Sequence, residues 1–104
     1  MLRVKRAIKF FFQKRTRGWS DEETWNLDIT IAKFVLPRLK RLKQLQNGYP
    51  GDLAEEKWDE ILDKMIFSFD KITNDEEIVM EQPQAERVQE GLDLFANRFR
   101  DLWW

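Results

Sequence analysis

Asp52-Leu-Ala-Glu-Glu-Lys-Trp-Asp-Glu-Ile-Leu-Asp-Lys-Met-Ile-Phe-Ser-Phe-Asp-Lys-Ile72 decides the fold. Ala54, Trp58, Ile61, Leu62, Met65, Ile66, Phe69 and Ile72 fall at helical spacing on one continuous apolar face, the pattern of a helix laid against a core. Asp52, with Glu55 three positions on, reads as its start. No stretch of comparable length shows the strict alternation a strand requires. Phe67 falls on the polar side of this helix, which points to an intermolecular contact.

Reading outward from it, Asn47-Gly48-Tyr49-Pro50-Gly51 is a stop followed by a turn. Before it lies a second helical segment, opened by Ser20 with Glu23 three residues later, the spacing of a capping box. Trp25, Ile29, Ala32, Val35, Leu36 and Leu39 form its apolar face. A second stripe of Leu27, Ile31, Phe34 and Leu45 lies on its other side, so this helix is expected at the centre of the fold. Pro37 removes a backbone bond and crowds the carbonyl of Lys33, predicting a kink or break. The first helix spans about Leu2 to Arg15 and is ended by Gly18. Met1, Val4, Ile8, Phe11 and Phe12 share one of its faces, with Arg3, Arg6, Lys9 and Lys14 mostly opposite. Thr73-Asn74-Asp75 breaks the chain after the third helix. A last helix begins near Pro83 and continues to the end, with Val88, Leu92, Phe95, Phe99 and Leu102 at the alternating spacing of a packing seam. The expected fold is all-α: a compact bundle of four main helices in one domain, 1–104, the second helix central and kinked near Pro37.

Charge is divided along the chain. Residues 1–50 carry twelve Lys/Arg against four Asp/Glu, and residues 51–104 carry six against fifteen, so a total of −1 hides two opposed blocks. Such a dipole neutralises itself internally, pairs with another copy or faces a charged partner. With no Cys and no His, thiolate metal sites, imidazole zinc sites, His-based triads and histidine pH switching are excluded. No apolar run reaches the roughly 18–20 residues of a membrane span. The basic, interrupted opening lacks the features of a signal peptide. Thirteen per cent aromatic content, including five Trp and eight Phe, is high enough that some rings should serve an interface as well as a core.

Two patterns could carry chemistry. Glu55-Glu56-x-x-Asp59 with Glu90-x-x-Asp93 resembles the E-E-x-x-E … E-x-x-D signature of all-α nucleoside triphosphate pyrophosphohydrolases, which hold Mg²⁺ between facing carboxylates. Helical phase places Glu90 and Asp93 away from the packing seam, so a solvated acidic face is the better reading. The second pattern is basic and aromatic: Arg15, Arg17, Trp19 and Trp25, with Arg38 and Arg41 further along. Arg supplies phosphate contacts and Trp a stacking surface. Asp28 falls between Trp25, Ile29 and Ala32 on the core-facing side, where a carboxylate needs a partner such as an Arg of the first helix or of the 15–17 segment. At the C-terminus Trp103 reads as core and Trp104 as a partner contact.

Arg17-Gly18-Trp19-Ser20-Asp21-x-x-Thr24-Trp25-x-Leu27-Asp28, Leu36-Pro37-Arg38-Leu39-Lys40, Trp58-x-x-Ile61-Leu62-x-Lys64-Met65 and Glu90-Gly91-Leu92-x-Leu94-Phe95-Ala96 together resemble small helical proteins encoded by tailed bacteriophages, over roughly 15–104. No activity and no site residues come with this resemblance. It implies a phage origin and a setting in the cytoplasm of the infected bacterial host, where small non-structural phage proteins often bind and block host or defence components.

The expectation is therefore a non-catalytic protein, without cofactor or metal, that blocks a host factor such as an antiviral defence component and associates with itself. Arg15, Arg17, Trp19, Trp25, Asp28, Arg38, Arg41 and Trp104 are its candidate contact residues. Sequestration of an anionic nucleotide or nucleic acid by the basic half is the alternative, and metal-dependent nucleotide hydrolysis the third.

Overall fold

The computed structural model describes residues 2–46, 48–74 and 82–104, the side chains of Leu2 and Arg3 excepted. All regular structure among them is helical: α1 Leu2–Arg17, a 3₁₀ turn Asp21–Thr24, α2 Leu27–Leu45, α3 Glu55–Asn74, α4 Gln82–Asn97 and a 3₁₀ turn Phe99–Asp101. The all-α expectation holds. The chain forms two compact units, Met1–Ile31 and Ala32–Trp104.

In the first unit, α1 ends where Gly18 adopts φ +85°, a left-handed conformation that glycine reaches without steric cost. The Gly18 N–H closes the last turn on the Lys14 carbonyl at 2.9 Å. The signal at Ser20 starts the 3₁₀ turn rather than a long helix. The Glu23 carboxylate accepts from the Ser20 N–H at 2.6 Å, and the Glu23 N–H donates to the Ser20 carbonyl at 3.1 Å. The Ser20 hydroxyl is buried over the same turn with no partner in hydrogen-bonding geometry. Two residues then separate this turn from α2. On α1, Val4, Ile8, Phe11 and Phe12 are all more than half exposed.

The second unit holds the core. Trp58, Ile61, Leu62, Met65 and Phe69 of α3 are buried, and α2 lays Ala32, Leu36 and Leu39 onto them. By buried side chains the core is thus built around α3, with α2 contributing one narrow stripe. Of the kink or break expected at Pro37, a break does not occur: α2 runs from Leu27 to Leu45 through the proline. Of its second stripe, Leu27, Ile31 and Phe34 are exposed.

α3 starts at Glu55 rather than Asp52. Residues 50–53 form a turn closed by the Leu53 N–H on the Pro50 carbonyl at 3.0 Å, and Glu55 and Glu56 place negative charge at the positive end of the helix dipole. Of the stop at 47–51, Asn47 lies outside the described residues, as does Asp75 of the break that follows α3. Phe67 is half-buried under the Arg87 guanidinium, 4.0 Å from its ring centroid, so its own chain covers it.

α4 carries Pro83 in its first turn, where a missing N–H costs nothing. It approaches α3 closely at Gly91, against Ser68. The Ser68 hydroxyl is fully buried and donates to the Val88 carbonyl at 2.8 Å. A Cβ at position 91 would lie 2.8 Å from Ser68 Cβ and would overlap both Ser68 Oγ and the Lys64 carbonyl oxygen. The helix stops at Asn97, short of the expected end, and the seam fails with it. Val88 is buried and Phe95 half-buried, but Phe99 is 61% exposed. Trp103, read as core, is 75% exposed for the same reason: beyond Asn97 the chain leaves the helical phase that would have turned it inward.

Candidate binding groove

The last three turns of α2, and the end of α4 with the chain beyond it, form the walls of an open cavity of about 670 Å³. On α2, Phe34, Arg38, Arg41 and Leu45 follow one another at helical spacing beside Val35, Leu39 and Leu42, so two adjacent stripes make one wall. The opposite wall is Phe95, Phe99, Leu102, Trp103 and Trp104. An edge-to-face series supports it, with Phe69 and Phe95 centroids 4.9 Å apart and Phe95 and Phe99 5.6 Å apart. Core packing therefore fixes the inner end of the wall, while Phe99 stands in solvent. Trp103 and Trp104 also border a second cavity of about 300 Å³, against Gly48, Tyr49, Pro50 and Trp58.

Among the described residues, the cationic side chains in the groove lining are Arg38 and Arg41. The Arg38 guanidinium lies 3.7 Å from the Phe34 ring centroid and donates to the Phe34 carbonyl at 2.9 Å. This contact flattens a charged group over an exposed ring. Arg41 donates to Gln44 Oε1 at 3.0 Å. Behind the groove, Arg98 ties the end of α4 to the turn before α3 by a two-pronged contact, to Asp52 Oδ1 at 3.1 Å and Oδ2 at 2.9 Å, and it also reaches Asp101 at 3.3 Å. Arg98 holds the Asp52 carboxyl below its ordinary range.

Three of the predicted contact residues, Arg38, Arg41 and Trp104, are therefore brought together. The others lie in the first unit. Arg17 stacks 3.8 Å from the Trp19 centroid and donates to the Trp19 carbonyl at 3.0 Å and to Asp21 at 2.6 Å. Trp25 meets Phe10 edge to face at 5.4 Å, with the Arg6 guanidinium 6.0 Å from its ring. Arg15 lies 5.7 Å from the Phe11 centroid.

Asp28 is a correction: it is exposed, not buried. Asp28 shares α2 and its helical phase with Ala32, but it lies a full turn before Ala32, the first buried residue of that helix, so the stripe runs on past the end of the core. The acid that does collect cations is Asp21. It accepts from Gln13 at 2.7 Å and from Arg17, and lies 3.4 Å from Lys9. The Gln13 amide first, then Arg17, lowers its pKa to about 2.

The carboxylates of the hydrolase-like motif are dispersed. Glu90 accepts from Lys64 at 2.7 Å and Asp93 from Gln89 at 2.9 Å. Among the described residues no group of three acidic side chains could hold a metal ion, and no helix is long and apolar enough to cross a membrane.

Phe99 and Trp103 belong to the groove although the sequence assigned them to the packing seam. The signal for Phe34 was present in its four-residue spacing from Arg38. Comparison with family models, with curated proteins and with solved structures finds no match to this chain.

Proposed function

We propose that the protein is a non-catalytic binding module whose contact surface is the aromatic groove of Ala32–Trp104. One observation carries the reading: exposed Phe34, Phe99, Trp103 and Trp104 line one concavity instead of being scattered singly. A groove with apolar walls and two arginines suits an amphipathic segment of a partner protein, whose apolar side chains fill the trough and whose carboxylates meet Arg38 and Arg41. Following the resemblance to phage proteins, the partner would be a host factor, such as an antiviral defence component, that is blocked by being bound.

The same groove supports a second reading, because Arg41 and Trp104 share its lining. A nucleotide could stack on the indole and place its phosphate on the guanidinium. The mostly apolar lining and the commitment of Arg38 to Phe34 favour protein over nucleotide. Support for a non-catalytic role comes from the motif's Glu90 and Asp93, which are engaged by Lys64 and Gln89.

The test is affinity capture from the bacterial host, with wild type and a Phe99→Asp/Trp104→Ala variant run side by side. A host protein retained by the wild type alone, and then bound directly when purified, supports the proposal. A nucleotide that raises the melting temperature and is recovered unchanged would install the second reading. Turnover of a nucleoside triphosphate with Mg²⁺, lost in Glu56→Gln, would overturn both.

A further inference from the structure

The first unit poses a separate question. α1 carries seven Lys and Arg and no acidic residue. Its ion pairs, hydrogen bonds and ring contacts to Asp21 and Trp25 lie on one side. Lys9, Gln13 and Arg17 hold Asp21, while Arg6 and Phe10 meet Trp25. On a helical wheel these five positions share an arc, and the residue opposite its middle is Val4. Val4, Ile8, Phe11 and Phe12 therefore lie outside that contact arc, along an arc about 100° wide, with Phe11 at its edge beside an open cavity it shares with Phe10 and Trp25. They are 57%, 51%, 55% and 60% exposed.

What flanks that arc identifies its occupant. Lys5 borders it on one edge and Lys14 on the other, and Arg15 lies within it, its guanidinium over the Phe11 ring. A protein groove offering only apolar contacts would leave this ring of cations without purpose. A nucleic acid backbone would satisfy the cations and leave two phenylalanines, an isoleucine and a valine in water. An anionic bilayer surface satisfies both: the apolar arc enters the headgroup–acyl boundary, while long Lys and Arg side chains reach back to the phosphates.

We propose that α1 is an interfacial helix that binds the surface of an anionic lipid bilayer through Val4, Ile8, Phe11 and Phe12, with Lys5, Lys14 and Arg15 meeting the lipid phosphates. The 3₁₀ turn on the opposite side then serves as a splint. By fixing Gln13 and Arg17 on Asp21, it holds the helix formed before it meets lipid, which lowers the ordering cost of binding.

The experiment is flotation of the full chain with phosphatidylcholine vesicles, alone or containing about one-third phosphatidylglycerol. The wild type should float with the anionic vesicles only, and less at high salt. Phe11→Asp/Phe12→Asp should lower the bound fraction about tenfold or more, and Lys5→Glu/Lys14→Glu should do the same. Phe12→Leu should retain binding. Equal helical content by circular dichroism shows that the variants remain folded, and Ile8→Ser serves if the double Asp variant does not. Failure to float with anionic vesicles overturns the proposal. So does flotation indifferent to the apolar substitutions, or retention by a single-stranded oligonucleotide with vesicles ignored.

Discussion

Gly91 of α4 faces Ser68 of α3 with no room for a methyl group between them. Replacing Gly91 by Ala would gain about 1 kcal/mol of helix propensity. It would also force a carbon into Ser68 Oγ and the Lys64 carbonyl, and backbone cannot swing aside as a side chain can. Overpacking of this kind costs about 1–3 kcal/mol or more. Gly91→Ala is expected to destabilise the Ala32–Trp104 unit by about 2 kcal/mol, read from the midpoint of urea denaturation at unchanged slope. A midpoint at or above the wild type would show that the helices do not approach as described.

Asp21 gives the first unit a dependence on acid. Its folded pKa of about 2 lies below the ordinary 3.8, so the unfolded chain binds the proton more readily. The contribution is complete above the unfolded value and is lost as pH falls from there through about 2. Amide exchange at residues 13–25 should accelerate across that window, and Asp21→Asn should abolish the pH dependence. Gln13→Ala should move the Asp21 carboxyl resonance midpoint upward. A midpoint unmoved by Gln13→Ala would assign the depression to Arg17 and Lys9 alone.

Arg38 and Arg41 are expected to govern the charge selectivity of the groove. Arg38→Glu/Arg41→Glu should weaken an acidic partner by roughly tenfold or more at low salt and much less at high salt. Helical content should not change, because both side chains are exposed. Titration calorimetry at two salt concentrations measures this. Salt-insensitive affinity would assign recognition to the aromatic wall alone.

Self-association is expected at micromolar concentration, through the same wall. Exposed Phe34, Phe99, Trp103 and Trp104 form a patch that a second copy can cover. Sedimentation velocity should show species above 12.7 kDa that revert to monomer in Phe99→Asp/Trp103→Asp. A wild type that sediments only as monomer would leave the wall to a different protein.

What the sequence discloses depends on how locally each feature is determined. The face of α3 was readable because Trp58, Ile61, Leu62, Met65 and Phe69 are apolar and buried together, so period and burial coincide. Asp28 falls on the core side of a wheel extended backward from Ala32, but a wheel carries no knowledge of where the core ends, and in α2 burial begins only at Ala32. Trp103 fails likewise, since only tertiary context stops α4 at Asn97. Gly91 left no hydrophobic signal at all, although it sets a close contact between α3 and α4. Arg38, Arg41 and Trp104 stood out singly by residue type. Their meeting across the groove depends on where the chain goes after α4, which no spacing rule encodes.

The burial of Trp58 has a spectroscopic consequence. It is 2% exposed, whereas Trp19, Trp25, Trp103 and Trp104 range from 46% to 75%. Intrinsic emission should therefore separate into a blue component that iodide cannot quench and a red, quenchable one. The blue component reports the integrity of the core around α3. The red one reports on the groove and the first unit, the two surfaces to which ligands are assigned. A ligand that shifts only the red component has bound without disturbing the fold, and the protein carries that distinction without any added label.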